Sequence, residues 1–340
     1  MKLRKIASKI YRKFEYLRRR CVSSLIRALT LKSNKSITLT FDADSAVDGT
    51  GAQLQRLISV YALARYFGFK YEHTEIKQVS VHPLDPFQTK ELYSQYLKDL
   101  NAFIRFSKVD ELSSFELKSQ SYTIEFWSFM MLLLKNRIST KAKKFSVLEP
   151  YPVTEFIPSA LHSIRDECEL IRHNSNGFKK PYIALHYRQG VGGFVLYPGQ
   201  NISRETPLVE FEEVIESILS EAPDRSLISL VVLTDAPTSV TYYEPPQDQQ
   251  HLWVGTPGYF EGKMTIQPLD FDYLTRKFNV HVEVIRGGNP LVAIEVMAKS
   301  DYLLMGKSSL SYVGALLNKS GKVYSPRDFW HKPLPGWRKF

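Results

Sequence analysis

The order of short apolar runs and longer amphipathic ones between Tyr182 and Leu317 constrains this chain more than any other feature. Tyr182 to Tyr187, Ser226 to Leu233, Val280 to Ile285 and Tyr302 to Met305 read as strands. Val209 to Ser220, Leu291 to Lys299 and Leu310 to Leu317 read as helices. Strands that are apolar almost throughout, separated by helices, are what a parallel sheet covered on both faces requires. The second half is therefore expected to be a Rossmann-like α/β unit.

The first half begins with the same grammar. Ile37 to Phe41 reads as a strand and Asp42 to Gly51 as a loop. Ala52 to Phe67 reads as a helix carrying Leu54, Leu57, Ile58, Tyr61 and Ala62 on one side, with Gly68 as its stop and Phe69 to Ile76 as the returning strand. From His82 to about Pro158 the pattern weakens and is expected to be mostly helical. Pro150, Pro152 and Pro158 suggest a linker. With 340 residues, two domains are expected. The boundaries drawn are a basic N-terminal helix over residues 1–35, a first domain over 36–160, a second over 161–325 and a tail over 326–340.

Residues 1–32 hold eleven cations against the single acid Glu15, and the chain as a whole carries a formal charge of +10. Leu3, Ile6, Ile10, Phe14, Leu17, Cys21 and Leu25 recur every three or four residues, which places them on one stripe of a helix with the cations around it. Such a helix suits the interface of an anionic membrane, and it equally suits docking on the protein's own core. A nucleic-acid arm would waste the apolar stripe, so no nucleic-acid partner is expected. Two cysteines exclude a disulfide framework and a cysteine-based zinc site. The most apolar run, Phe126 to Leu134, falls short of the roughly 20 residues that span a bilayer. A cytoplasmic protein is expected, peripheral on the inner face of the membrane if the basic helix binds there.

In an open parallel sheet, ligands bind beyond the carboxyl ends of the strands. Three strand ends carry polar groups there: His186-Tyr187-Arg188-Gln189-Gly190, Thr234-Asp235 and Gly306-Lys307-Ser308-Ser309. Ser308 or Ser309 would cap the following helix, whose N-terminus attracts anions, and Arg188 supplies a planar cation suited to a diphosphate. Each element alone is commonplace: a helix cap, a surface ion pair, a turn, a buried structural histidine. Their arrival at successive ends of one sheet points to a phosphate-bearing ligand.

These residues carry a family resemblance. Asp48-Gly49-Thr50-Gly51-Ala52-Gln53, followed by Tyr61-Ala62-Leu63-Ala64, resembles the glycine-glutamine motif of the alpha-1,2-fucosyltransferases. His186-Tyr187-Arg188 resembles the His-x-Arg motif of the superfamily that also includes alpha-1,6- and protein O-fucosyltransferases. Met297 to Tyr302, then Ser308-Ser309-Leu310-Ser311, resembles its C-terminal serine motif. The order agrees across residues 37–320. The resemblance implies a GT-B-like architecture of two Rossmann-like domains facing a cleft, and inverting transfer of a sugar from GDP-fucose or another nucleotide sugar to a glycan acceptor in surface polysaccharide or glycoconjugate synthesis. It implies no metal and no cofactor. Arg188 and His186 would be catalytic, Ser308 and Ser309 would hold phosphate, Asp235 would contact the nucleoside, and Gly49, Gly51 and Gln53 would line the cleft. Gln189-Gly190-Val191-Gly192-Gly193 stands where the family has a second basic residue and an acid.

Two other readings compete. Asp42-Ala43-Asp44 after a strand suits a divalent cation in a metal-dependent transferase of the other glycosyltransferase fold. A non-enzymatic binder of anionic lipid or polyanions would need only the basic start. The long segment Thr241 to Lys263, with Tyr242, Tyr243, Trp253, Tyr259 and Phe260, reads as a loop whose aromatics either support sugar rings or pin it to the core.

Overall fold

The computed structural model describes residues 37–44, 48–80, 85–107, 109, 121–134, 143–148, 150, 152–171, 178–189, 196–197, 200–201, 206–244, 247, 250 and 259–340. The basic helix expected over residues 1–35 falls outside these residues. The chain divides into two compact units. Unit 1 comprises residues 1–80, 97–171 and 330–335, and unit 2 comprises 81–96, 172–329 and 336–340.

In unit 1, β1 (Ile37–Phe41) is followed by α1 (Thr50–Phe67) and β2 (Lys70–Glu72). Gly68 ends the helix as expected, at φ 71°, with its N–H turned back to the carbonyls of Ala64 and Arg65. Helix α1 has no exposed face over its first four turns: from Thr50 to Ala64 every residue, including Gln53, Gln55, Arg56 and Ser59, is buried, so it forms the centre of its unit. The returning strand is shorter than expected, three residues in place of the stretch from Phe69 to Ile76.

Downstream lie α2 (Lys90–Phe103), β3 (Ile104–Phe106), β4 (Ser121–Glu125), α3 (Phe126–Leu134) and β5 (Lys143–Leu148), then α4 (Pro152–Phe156), α5 (Pro158–Ser163) and β6 (Cys168–Leu170). The expectation of a mostly helical segment is corrected here. Strand β5 runs parallel between β1 and β4, in the sheet order β2-β1-β5-β4, at the middle of the sheet. Its opening lysines disguise it in the sequence, yet Phe145, Ser146 and Val147 are buried and Lys144 is absorbed by an ion pair with Glu72 at 2.6 Å.

Unit 1 is completed from far along the chain. His331 is 3 % exposed. Its Nε2 accepts the Trp330 indole hydrogen at 2.9 Å. Its Nδ1 lies 2.9 Å from Thr154 Oγ1 and 3.2 Å from the Gln55 amide nitrogen.

Unit 2 contains β7 (Tyr182–Tyr187), β8 (Leu196–Tyr197), β9 (Gln200–Asn201), α6 (Leu208–Glu221), β10 (Ser229–Thr234), β11 (Thr241–Tyr243), β12 (Tyr259–Phe260), β13 (Lys263–Ile266), α7 (Asp272–Phe278), β14 (His281–Arg286), α8 (Pro290–Lys299), β15 (Tyr302–Leu304), α9 (Ser309–Leu317), β16 (Lys322–Ser325) and β17 (Arg338–Lys339). The expected strands and helices are present, with ends within three residues of their expected positions. The main sheet has the order β14-β10-β7-β15-β16-β17, and every pairing in it is parallel. Numbered by sequence within the sheet, this is the 3-2-1-4-5-6 order of a doubly wound nucleotide-binding fold. Ile183, Leu185, Leu230 and Val232 form its centre, with Phe211, Ile215 and Ile218 of α6 packed against them.

Within the segment expected to be a loop, Thr241–Tyr243 and Tyr259–Phe260 are strands that join β13 in a small antiparallel sheet, β11-β13-β12, while Trp253 lies outside the described residues. The tight turn of this sheet is Glu261-Gly262, at φ 48° and 80°. Two consecutive positive φ values make the hairpin turn whose twist matches its strands.

Candidate functional site

The doubly wound order fixes where a ligand crevice opens. The chain winds outward from β7 through β10 to β14, then crosses back to β15 on the other side of β7 and winds the opposite way. Loops after β7 and β15 therefore diverge, and the gap between their carboxyl ends is the switch point. The residues leaving β7 are Arg188 and Gln189, and those leaving β15 are Met305 to Ser309.

Arg188 and Ser308 meet there, with Arg188 Nη1 donating to Ser308 Oγ at 3.0 Å. Ser308 is also the cap of α9, its Oγ accepting from Leu310 N at 3.2 Å. One hydroxyl thus ends the helix and orients the guanidinium. Ser308 is 1 % exposed while Ser309, the first residue of the helix, is partly exposed. Gly306 N-terminal to this turn runs against β7, where an added Cβ would lie 2.6 Å from the His186 carbonyl oxygen. Only glycine permits that approach, and with it the meeting of the two loops.

Asp235 arrives from the end of β10. It accepts Gln189 N at 2.8 Å and stands 4.0 Å from Arg188 Nε. An acid thus reaches Arg188 from the neighbouring strand, although none follows Arg188 in the sequence. His186 lies beneath, 8 % exposed. Burial pushes its pKa down to about 4, and the Arg188 cation adds to this against the pull of Asp235. The imidazole is therefore neutral at pH 7, and its Nδ1 has no hydrogen-bond partner among the described residues.

Two further residues belong to this group and were given no role from sequence. Lys307 is 7 % exposed, with its ammonium 2.7 Å from Asp328. Arg286, at the carboxyl end of β14, donates to the carbonyls of Ala236 at 3.0 Å and Leu269 at 2.7 Å, which fastens the chain just beyond Asp235. The available signal was position: Arg286 ends a strand on the same edge as Arg188, Asp235 and Gly306.

The glycine-glutamine residues form a separate group in unit 1. Gly49 caps α1 through its backbone, its carbonyl accepting from Ala52 and Gln53, and Gly51 is buried in the first turn. Gln53 is 1 % exposed and donates to Gln78 O at 3.3 Å, fastening a loop. Asp48 pairs with Arg56 at 3.1 Å. Of the D-x-D residues, Asp44 is held by Lys77 at 2.8 Å, and Asp42 accepts Asp44 N at 3.1 Å.

Strand order and side-chain geometry together define unit 2 as a doubly wound α/β unit that brings Arg188, Ser308 and the start of a helix together at its switch point. No family model matches the sequence, and no curated protein matches it. Among solved structures the chain is similar to POFUT1 in complex with GDP, at 11% identity and a TM-score of 0.39, over 86% of this chain and 98% of that one. It is similar to fucosyltransferase NodZ from Bradyrhizobium at 11% identity and a TM-score of 0.37, over 84% of this chain and 94% of that one. NodZ alpha-1,6-fucosyltransferase soaked with GDP-fucose gives 11% identity and a TM-score of 0.36, over 84% and 93%.

Proposed function

We propose that the chain is an inverting glycosyltransferase that takes a sugar from a nucleoside diphosphate, with GDP-fucose as donor and a glycan hydroxyl as acceptor. The observation that carries this reading is the 3.0 Å bond from Arg188 to Ser308 at the switch point of a parallel sheet. A fixed guanidinium beside the start of a helix is a pre-organised site for negative charge growing on a departing diphosphate. No bound cation is needed for that task, so turnover is expected to persist in EDTA.

The roles follow from exposure and charge. Arg188 neutralises the leaving diphosphate. Ser309 and the start of α9 meet a phosphate oxygen, while the enclosed Ser308 acts by holding Arg188 in place. Neutral His186 meets the donor by hydrogen bonding and not by charge. Asp235 takes the nucleoside side of the crevice. Among the described residues no helix is long and apolar enough to cross a membrane. The basic residues 1–32 are proposed to bring the protein to the anionic inner face of a membrane, where surface glycans are assembled.

The test is a thermal-shift panel of GDP, UDP, ADP, CDP and TDP, because a ligand that binds the folded state raises its melting temperature. Selective stabilisation by GDP, lost in Arg188→Ala, is the expected result. A preference for UDP moves the donor to another sugar nucleotide, and no response to any nucleotide overturns the enzyme reading.

A further inference from the structure

The antiparallel sheet β11-β13-β12 is inserted after the carboxyl end of β10 and returns through α7, so it is rooted on the same edge of the main sheet as Arg188, Asp235 and Ser309. Its exit is tied to that edge. Gln189, the neighbour of Arg188, donates its side-chain amide to Gln267 O at 3.3 Å, and Arg286 holds Leu269 O.

The two faces of this small sheet differ. Met264 and Ile266 are 1 % and 3 % exposed and form the inner face. Side chains alternate along a strand, so Lys263 and Thr265 point outward. The register sets Tyr242 opposite Thr265 and Phe260 opposite Lys263. Tyr242 is 69 % exposed and Phe260 74 %. The reading that the aromatics of this segment pin it to the core does not hold for these two. Among the described residues the face carries no surplus of positive charge, because Lys263 is paired with Glu244 at 3.1 Å and Glu261 stands exposed at the turn.

Two strand spacings of about 4.8 Å and two residues of about 3.4 Å separate the aromatic residues, so they stand roughly 12 Å apart. Two exposed rings with a hydroxyl and an ion pair between them, on a face without net positive charge, match an uncharged oligosaccharide. Sugars present apolar C–H faces for rings and hydroxyls for polar groups, whereas nucleic acid or anionic lipid would require cations. We infer that Tyr242 and Phe260 form a docking face for a neutral oligosaccharide, which feeds the acceptor end of the chain to the crevice beside Arg188. The assignment rests on the transferase reading for what happens to the glycan, and on the sheet face alone for the binding.

Saturation-transfer NMR on the full chain tests it, using neutral hexasaccharides of glucose, galactose, mannose and N-acetylglucosamine. At least one hexasaccharide is expected to bind. The Tyr242→Ala/Phe260→Ala variant is expected to bind it at least ten-fold more weakly, with an unchanged melting temperature and an unchanged response to nucleotides. Tyr242→Phe/Phe260→Tyr, which keeps both rings, restores binding. No transfer to any hexasaccharide, or equal affinity in the alanine variant, overturns the docking face. So does loss of binding only to heparin or to anionic vesicles. If the glycan results hold while no nucleotide binds, the docking face stands and the transferase reading falls. The opposite pattern removes the face and leaves the transferase.

Discussion

Gly306 and His186 set the tolerances of the crevice at the scale of single residues. A methyl group at 306 would press on the backbone of β7 at 2.6 Å, and backbone cannot swing aside as a side chain can. Gly306→Ala is expected to cost about 1–3 kcal/mol in urea unfolding and to weaken nucleotide binding by displacing Arg188 from Ser308. His186 has a folded pKa of about 4, against about 6.5 for a free imidazole. The unfolded chain therefore binds this proton more readily. The stability tied to the neutral ring is fully present above about pH 6.5 and drains away as the pH falls toward 4. Burial lowers the pKa of His73 as well, against the opposing charge of Glu75, and acts in the same direction. Urea midpoints at pH 7.5 and pH 5 are expected to differ less in His186→Gln than in the parent, with an equal slope in both proteins counting against the burial account. Arg188 and Asp235 were legible in the sequence because they follow apolar strands. The contact between Arg188 and Ser308 was not, since it spans 120 positions and depends on the crossover to β15.

Elements were legible where their pattern is carried by their own residues. The strands and helices of unit 2 alternate with little interference, and Asn289 and Ser308 cap α8 and α9 through their side chains. Strand β5 was missed because lysines occupy its first two positions, and it is a strand through its neighbours β1 and β4 more than through its own composition. The β12–β13 hairpin was missed for a related reason. Its turn places Glu261 where asparagine or aspartate is the usual signal. Glu261→Asn is accordingly expected to stabilise the protein by about 0.5–1 kcal/mol, measured as a rise in melting temperature. A fall would mean that the glutamate side chain makes a contribution of its own at the turn.

At the scale of the whole molecule, the sequence suggests a first half, a second half and a short tail, whereas the observed units interleave. Residues 330–335 belong to unit 1, the flanking segments ending at 329 and beginning at 336 belong to unit 2, and His331 sits among Gln55 and Thr154 of the early helices. The last residues return to unit 2, where the Phe340 ring lies 5.2 Å from that of Phe211. A chain stopped after residue 329 is expected to lose cooperative unfolding in circular dichroism, although it retains every strand of the unit 1 sheet. Two-state melting of that truncated chain would show the late segment to be dispensable. The order of synthesis gives the interleaving a further meaning. A ribosome delivers the centre of the first unit early, but the histidine that completes it emerges only after more than a hundred and fifty residues of the second. The nascent protein thus has no finished first half to release until residue 331 has left the ribosome.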